Sequence, residues 1–164
     1  MSWICASCGE VHEELPALAV QSPDAWFAAS PEEREAEFQL TSDICVWRDE
    51  HFFLRCSLDL PIIGANDSLN FGIWSSLGKA NFEIYLDKWD DPDRAQLAPM
   101  FGWLSNQLPD YPDTSGVKCY VHAREPDLRP WLEIEPTDHP LSRHFHEGVT
   151  REYAAAYAHK HVGI

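Results

Sequence analysis

The chain has 164 residues, of which 45% are hydrophobic and 12% aromatic, and this composition excludes an intrinsically disordered protein. Its net charge of −15, from 12 basic and 27 acidic residues, argues against nucleic acid or an anionic membrane as a partner. No apolar run approaches the roughly 20 residues of a membrane span, and the N-terminus does not resemble a secretory signal. We therefore expect one cytoplasmic domain over residues 1–164.

A Cys-x-x-Cys-Gly motif containing Cys5 and Cys8 opens the chain. Two cysteines at this spacing can direct both thiolates at one zinc ion, which needs four ligands in a structural site. His12 and Cys45 are the candidates for the other two ligands. We predict structural zinc in a Cys-rich knuckle over residues 1–16, with a pair of free thiols or a redox-active pair as the alternatives.

Acidic residues concentrate in the first third of the chain, where residues 1–50 hold eleven acids against two bases, a charge of −9. Ser30 and Pro31 have the features of a helix N-terminus. The short helix that follows carries four glutamates: Glu32, Glu33, Glu35 and Glu37. We expect this acidic surface to bind a basic protein, with simple solubility as the alternative reading of the charge.

Hydrophobic periodicity predicts the remaining elements. The predicted strands cover about residues 44–47, 52–60, 69–76, 100–108, 117–123 and 129–135, and the predicted helices about 31–40, 77–89 and 148–161. This order indicates an α+β fold with a mostly antiparallel sheet of about six strands and about three helices. The tryptophans, including Trp74, Trp103 and Trp131, fall at strand and helix spacings, so we expect them in the core.

The stretch from Pro130 to Leu141, PWLEIEPTDHPL, predicts a strand that ends in a rigid corner between two prolines. Asp138 and His139 lie in this corner, and a carboxylate beside an imidazole could serve as a general base. The chain has no GxSxG, HExxH or glycine-rich phosphate motif to complete a catalytic set. We expect a structural corner, with a small metal-dependent hydrolase that uses Asp138 and His139 as the alternative.

Several motifs carry a resemblance to a known family: CASCGEVH at residues 5–12, FGIWSSL at 71–77, LPDYPDT at 108–114 and EPTDHPL at 135–141. Together they resemble a bacterial family of cytoplasmic proteins, domain of unknown function 2199, over nearly the whole chain. The resemblance implies one intact bacterial domain and no particular activity. The residues themselves favour a non-catalytic acidic binding module, for example an immunity or antitoxin-type protein that masks a basic partner.

Overall fold

The computed structural model describes residues 3–4, 11–12 and 15–162. In this part of the chain it contains five α-helices, a two-stranded pair and a mixed sheet of eight strands. The predicted α+β class is confirmed. The prediction of about six mostly antiparallel strands and three helices is only roughly right, since the sheet has more strands and two of its pairings are parallel. No described helix is both long and apolar enough to cross a membrane.

The ten strands and five helices follow one another along the chain in a β-rich order. The strands are β1 Trp3–Ile4, β2 Val11–His12, β3 Leu18–Ala19, β4 Phe38–Leu40, β5 Ile44–Trp47, β6 His51–Pro61, β7 Ser68–Leu77, β8 Met100–Trp103, β9 Lys118–His122 and β10 Trp131–Ile134. The helices are α1 Asp24–Ala28, α2 Pro31–Glu37, α3 Lys79–Asp87, α4 Pro140–Glu147 and α5 Arg151–Val162.

A long antiparallel hairpin of β6 and β7 forms the centre of the sheet, with its register running from Phe52 opposite Leu77 to Pro61 opposite Ser68. The strand order is β3-β7-β6-β10-β9-β8, with the β4–β5 hairpin attached to the first half of β6. Pro61 ends the pairing because it has no N–H to donate. The strands predicted at 44–47 and 52–60 pair as the hairpin β5–β6, and those predicted at 117–123 and 129–135 pair as β9–β10.

Side chains alternate between the two faces of the β6–β7 hairpin. Leu54, Leu58 and Phe71 belong to the buried main core, whose helical contributions come from α3, α4 and α5. Each fully buried side chain of this kind stabilises the fold by about 1.5–3 kcal/mol. Arg55 and Ser57 occupy the intervening positions, so they lie on the opposite face from this apolar row.

The sheet curls until β7 and the end of β8 meet. An isolated bridge joins Ser75 to Leu104, and the backbone N–H of Ser105 donates to the carbonyl oxygen of Trp74 over 2.8 Å. Gly102 permits this approach, because a Cβ at that position would overlap the carbonyl oxygen of Ser76 and the hydroxyl of Ser75. The strands thus form a strongly curved layer around the core.

The helix predictions differ from the structure in two places. Helix α3 is shorter than the predicted 77–89, and it buries Phe82 and Tyr85 while Ile84 is exposed. The C-terminal helix predicted over about residues 148–161 is α5, whereas α4 was not predicted, and Gly148 separates the two helices. Gly148 has a φ of 89°, a left-handed conformation that ends α4 and that glycine adopts without steric cost.

The prediction that the tryptophans pack in the core holds for Trp74, which is fully buried, and fails for two others. Trp103 is 44% exposed and Trp131 is 36% exposed. Both occupy outward positions on their strands, where Lys118 lies over Trp103 and His122 stacks on Trp131. Strand spacing alone does not distinguish the two faces of a sheet, so the sequence could not show which side is covered.

Candidate functional site

A fork in the sheet creates the candidate site. Strand β6 pairs with β5 along residues 51–54 and with β10 at Ser57, so its two neighbours part between these points. The N–H of Arg55 donates to the carbonyl of Asp43, just before β5, over 3.0 Å. The N–H of Ser57 donates to the carbonyl of Pro130, just before β10, over 2.8 Å. The backbone N–H groups of Arg55 and Ser57 are therefore hydrogen-bonded, while a gap stays open between β5 and β10.

A cavity of about 460 Å³ occupies this gap, and we call it the fork pocket. Its volume is within the usual range of small-molecule sites. Four arginines and two aspartates supply its charged groups, a formal charge of +2 in a chain of −15. Its lining residues are Asp43, Leu54, Arg55, Cys56, Ser57, Asn70, Gly72, Tyr85, Trp89, Arg94, Arg124, Pro126, Asp127, Leu128, Arg129 and Pro130.

Arg94 holds one wall of the fork pocket in place. It is only 3% exposed, and its guanidinium donates to the carbonyl oxygens of five residues: Trp89, Arg124, Glu125, Pro126 and Leu128, at 2.6 to 3.1 Å. The guanidinium also lies over the rings of Tyr85 and Trp89. All three nitrogens of the Arg94 guanidinium donate to backbone carbonyl oxygens. Arg94 therefore fixes the position of the loop 124–128, which forms part of the pocket lining.

Arg55 is buried, and its guanidinium forms few hydrogen bonds with the described residues. It is 8% exposed, and its Nε is buried without a hydrogen-bond partner in the described structure. Its one side-chain hydrogen bond there is long, 3.4 Å from Nη1 to the carbonyl of Ser42. Burial lowers the pKa of Arg55, Arg129 lowers it further, and Asp43 raises it. An arginine nevertheless stays protonated, so the pocket contains a buried positive charge.

Arg124 and Arg129 complete the positive side of the pocket. The Nε of Arg124 donates to the carbonyl of Arg129 over 2.6 Å, and the Nε of Arg129 donates to Oδ1 of Asp43 over 2.8 Å. Burial alone would raise the pKa of Asp43, but hydrogen bonds from Arg129 and Ser42 hold it below its usual value. Both arginines thus use Nε to fix their position, and their terminal nitrogens have no partner among the described residues.

Of the four residues predicted to bind zinc, His12 and Cys45 are among the described residues and Cys5 and Cys8 are not. Strands β1 and β2 pair antiparallel, with His12 opposite Trp3. Cys5 and Cys8 lie in the connection between these strands, outside the described residues, so the zinc knuckle stays a prediction. Cys45 is fully buried, and burial raises the pKa of its thiol to about 11, which disfavours the thiolate that zinc requires. The described residues contain no group of three or more potential metal ligands.

The structure does not bring Asp138 and His139 together as a catalytic pair. The Asp138 side chain is fully exposed, and Arg143, at 3.8 Å, is its ion-pair partner. His139 is the N-cap of α4: its Nδ1 accepts from the N–H of Leu141 over 3.0 Å. Its Nε2 must then carry the proton, which it donates to the carbonyl of Asp113 over 2.8 Å. Both ring nitrogens of His139 are hydrogen-bonded to backbone groups, an arrangement that favours the structural corner over the hydrolase alternative.

The four glutamates predicted to bind a partner lie on or at the end of α2. Ser30 and Glu33 form the predicted capping box. Glu37 accepts hydrogen bonds from Arg48 over 3.0 Å and Trp47 over 3.3 Å, and these lower its pKa. Glu32 and Glu35 are exposed and form no ion pair within the part of the chain that is described. The acidic surface is therefore present, and two of its carboxylates are available.

Sequence reasoning missed the four arginines of the fork pocket. They come from β6, from the turn after α3 and from the connection between β9 and β10, and no local pattern links these segments. The sequence held one signal: Arg55 interrupts the apolar run Phe52-Phe53-Leu54 in a predicted buried strand. A charged residue at such a position requires a partner, and that requirement could have marked the site.

Comparison with known proteins gives one result. No curated protein and no solved structure matches the chain. A bacterial family matches residues 4–149, which include β6, the loop 124–128 and the EPTDHPL corner. The match covers far more than half of the sequence, and it confirms the resemblance carried by the motifs. The chain belongs to the family described as uncharacterized protein conserved in bacteria, DUF2199.

Proposed function

We propose that this chain is a non-catalytic binding protein that holds a small anionic ligand in the fork pocket. The observation that carries the proposal is the buried guanidinium of Arg55 with its unpartnered Nε. Asp43 acts on this charge but already accepts a hydrogen bond from Arg129, so a second anion in the pocket would stabilise the buried guanidinium further. A carboxylate or phosphate in the pocket would pair with the terminal nitrogens of this guanidinium and compensate its charge.

Arg124 and Arg129 support the same reading. Their Nε atoms are engaged by the protein, and the two terminal nitrogens of each guanidinium remain available to a ligand. Fixed donors of this kind lose little conformational entropy when they bind. The net charge of the pocket is opposite to that of the chain, so small anions are drawn to this part of the surface.

The chemistry of the pocket favours binding over catalysis. Cys56, Ser57 and Tyr85 carry the nucleophilic groups of the lining, and Asp43 and Asp127 carry its carboxylates. Burial raises the pKa of Cys56 well above its usual value and that of Tyr85 to about 12, so both stay protonated at neutral pH. Asp43 accepts from Arg129 and Ser42, the Oγ of Ser57 accepts from Asn70, and no hydrogen bond joins a carboxylate to Cys56, Ser57 or Tyr85 in the described structure.

Isothermal titration calorimetry at low ionic strength tests the proposal with benzoate, phenyl phosphate and neutral benzamide as probes. We expect at least one anion to bind and benzamide not to bind. Arg55→Met should weaken anion binding about tenfold or more, since a hydrogen bond to a charged group contributes about 1.5–3 kcal/mol. Arg143→Met, at an exposed arginine on α4, is the matched control and should bind as the wild type does.

Denaturant unfolding of the same variant separates a binding role from a structural one. If Arg55 serves a ligand, Arg55→Met should leave the stability unchanged or raise it, because a methionine of similar volume removes a buried charge. Wild-type affinity in Arg55→Met, or no binding of either anion at millimolar concentration, would contradict the proposal.

A second candidate function is recognition of a basic protein by the acidic surface of α2, in the manner of an immunity or antitoxin-type protein. Exposed Glu32 and Glu35 favour it, because no basic side chain neutralises them in the described structure. Capture from the native cell at low salt, followed by binding measurements on the purified pair, is the test. Affinity should fall steeply with salt and with Glu32→Lys, but not with Glu152→Lys on α5, another exposed glutamate.

A further inference from the structure

The number of free cationic groups in the fork pocket exceeds what one carboxylate can use. Arg55, Arg124 and Arg129 all line the cavity with unpartnered guanidinium nitrogens, whereas Arg94 is saturated by carbonyl oxygens. Asp43, through its 2.8 Å ion pair with Arg129, and Asp127 offset two of the four arginine charges of the lining. About two positive charges are left for the ligand. A carboxylate brings one negative charge and two oxygens, so it would leave one guanidinium unmatched.

We infer that the anion held in the fork pocket is a phosphate monoester of a small organic molecule; the inference rests on the proposed function. A phosphate monoester carries a charge of about −1.5 to −2 at pH 7 and offers three strong acceptor oxygens. That charge matches the formal +2 of the pocket, and the three oxygens can accept from the guanidiniums of Arg55, Arg124 and Arg129. Arginine is also the residue that best matches the oxygen geometry of phosphate.

The hydrogen bonds within the site pre-arrange it for such a group. The Nε of Arg124 is tied to the carbonyl of Arg129, and the Nε of Arg129 is tied to Asp43, so the two guanidiniums hold a fixed relation to each other. Each is left with its two terminal nitrogens, which can bind two oxygens of one phosphate end-on. Arg55 adds the positive charge of its buried guanidinium to the same cavity.

The remaining walls indicate an organic body on the phosphate. Tyr85 and Trp89 line the cavity beside the apolar side chains of Pro126 and Leu128. Arg94 lies over both aromatic rings, at 5.2 Å and 5.7 Å from their centroids, which fixes their orientation. A cavity of about 460 Å³ is large enough for a small molecule, and aromatic and apolar walls with a few charged groups are typical of such sites.

Titrations of the full-length protein with phenyl phosphate, benzoate and inorganic phosphate at pH 7.5 and pH 5 test the inference. We expect phenyl phosphate to bind at least about tenfold more tightly than benzoate at pH 7.5, and more tightly than inorganic phosphate. Its affinity should fall about tenfold at pH 5, because the second pKa of a phosphate monoester is near 6. The affinity of benzoate should change little over this range, since a carboxylate stays largely ionised.

The outcomes separate this inference from the proposed function. If benzoate binds as tightly as phenyl phosphate, the inference of a phosphate monoester is wrong, but the proposed anion site is supported. Failure of every anion would overturn both. If inorganic phosphate binds as tightly as phenyl phosphate, the inference that the ligand has an organic part is wrong. If a phosphoserine peptide binds more tightly than phenyl phosphate, the ligand is a phosphorylated protein and not a small molecule.

Substitution at Arg124 tests the match of charge. Arg124→Gln removes one guanidinium, so the preference for phenyl phosphate over benzoate should fall to about threefold or less. Arg124→Lys keeps the charge and should retain part of the preference, which distinguishes loss of charge from a disturbed loop. Arg143→Gln is the control outside the pocket and should keep the full preference. An unchanged preference in Arg124→Gln would overturn the inference.

Discussion

The Nε of Arg94 donates to the carbonyl oxygen of Arg124 over 2.6 Å, so one arginine positions the backbone of another. This contact is part of a set in which the buried Arg94 satisfies five carbonyl groups. The connection between β9 and β10 has few other partners for those carbonyls in the described chain. The wall of the fork pocket therefore depends on a residue that does not itself offer a donor to a ligand.

We predict that Arg94→Lys lowers the free energy of unfolding by about 3 kcal/mol, because an ammonium has three donors and cannot span five carbonyl oxygens. Urea unfolding followed by tryptophan fluorescence measures the change. Arg143→Lys, on the exposed surface of α4, is the matched control and should stay within about 0.5 kcal/mol of the wild type. Equal unfolding midpoints for the two variants would contradict this role of Arg94.

The EPTDHPL corner gives a second prediction, in which two neighbouring residues behave differently. His139→Ala should destabilise the protein by about 1–2 kcal/mol, because it removes the N-cap of α4. Asp138→Ala should stay within about 0.5 kcal/mol, because that side chain is fully exposed. The corresponding changes in urea midpoint decide between the structural corner and the hydrolase alternative. If His139→Ala is as stable as the wild type, the imidazole of His139 is not needed as a helix cap, and the hydrolase alternative is favoured.

His144 provides a pH-dependent prediction. Burial lowers the pKa of His144 against the opposing effect of Glu147, and its Nδ1 accepts from the hydroxyl of Tyr111 over 2.6 Å. A histidine whose folded pKa is lowered binds fewer protons in the folded state. Stability is therefore fully present above the unfolded pKa of about 6.5 and falls as the pH drops through it.

Unfolding measurements between pH 7.5 and pH 5 check this sign. His144→Asn should be less stable than the wild type at pH 7.5, and its stability should depend less on pH over that range. His51→Asn, at an exposed histidine on β6, should keep the wild-type pH dependence. A His144→Asn variant that loses stability toward pH 5 as steeply as the wild type would show that another group is responsible.

The zinc prediction is tested by elemental analysis of the purified protein. We expect about one zinc per chain, lost in Cys5→Ser and in Cys8→Ser. Cys45→Ala should keep the metal, because Cys45 is enclosed by Phe38, Phe53 and Trp74 in a separate apolar cluster. Zinc-free wild-type protein would leave the motif as free thiols or a redox pair. Loss of zinc in Cys45→Ala would instead restore that cysteine as a ligand.

The sequence by itself determined the features that depend on neighbouring residues. The capping box of α2, the hairpins β5–β6 and β9–β10 and the end of β6 at Pro61 all follow from local hydrogen bonding and side-chain alternation. The family also follows from sequence, because its motifs are distributed along the chain. These elements could be predicted because their causes lie within a few residues of one another.

Only the tertiary structure decided which distant groups meet. Arg55, Arg94, Arg124 and Arg129 converge because β10 pairs parallel with β6 and leaves a gap beside β5. The same long-range packing exposes Trp103 and makes His139 the N-cap of α4. Hydrophobic periodicity indicates that a strand or helix has a buried face, but it does not indicate which segment of the chain covers that face. The candidate site is made from such long-range contacts, and therefore it could not be predicted from the sequence.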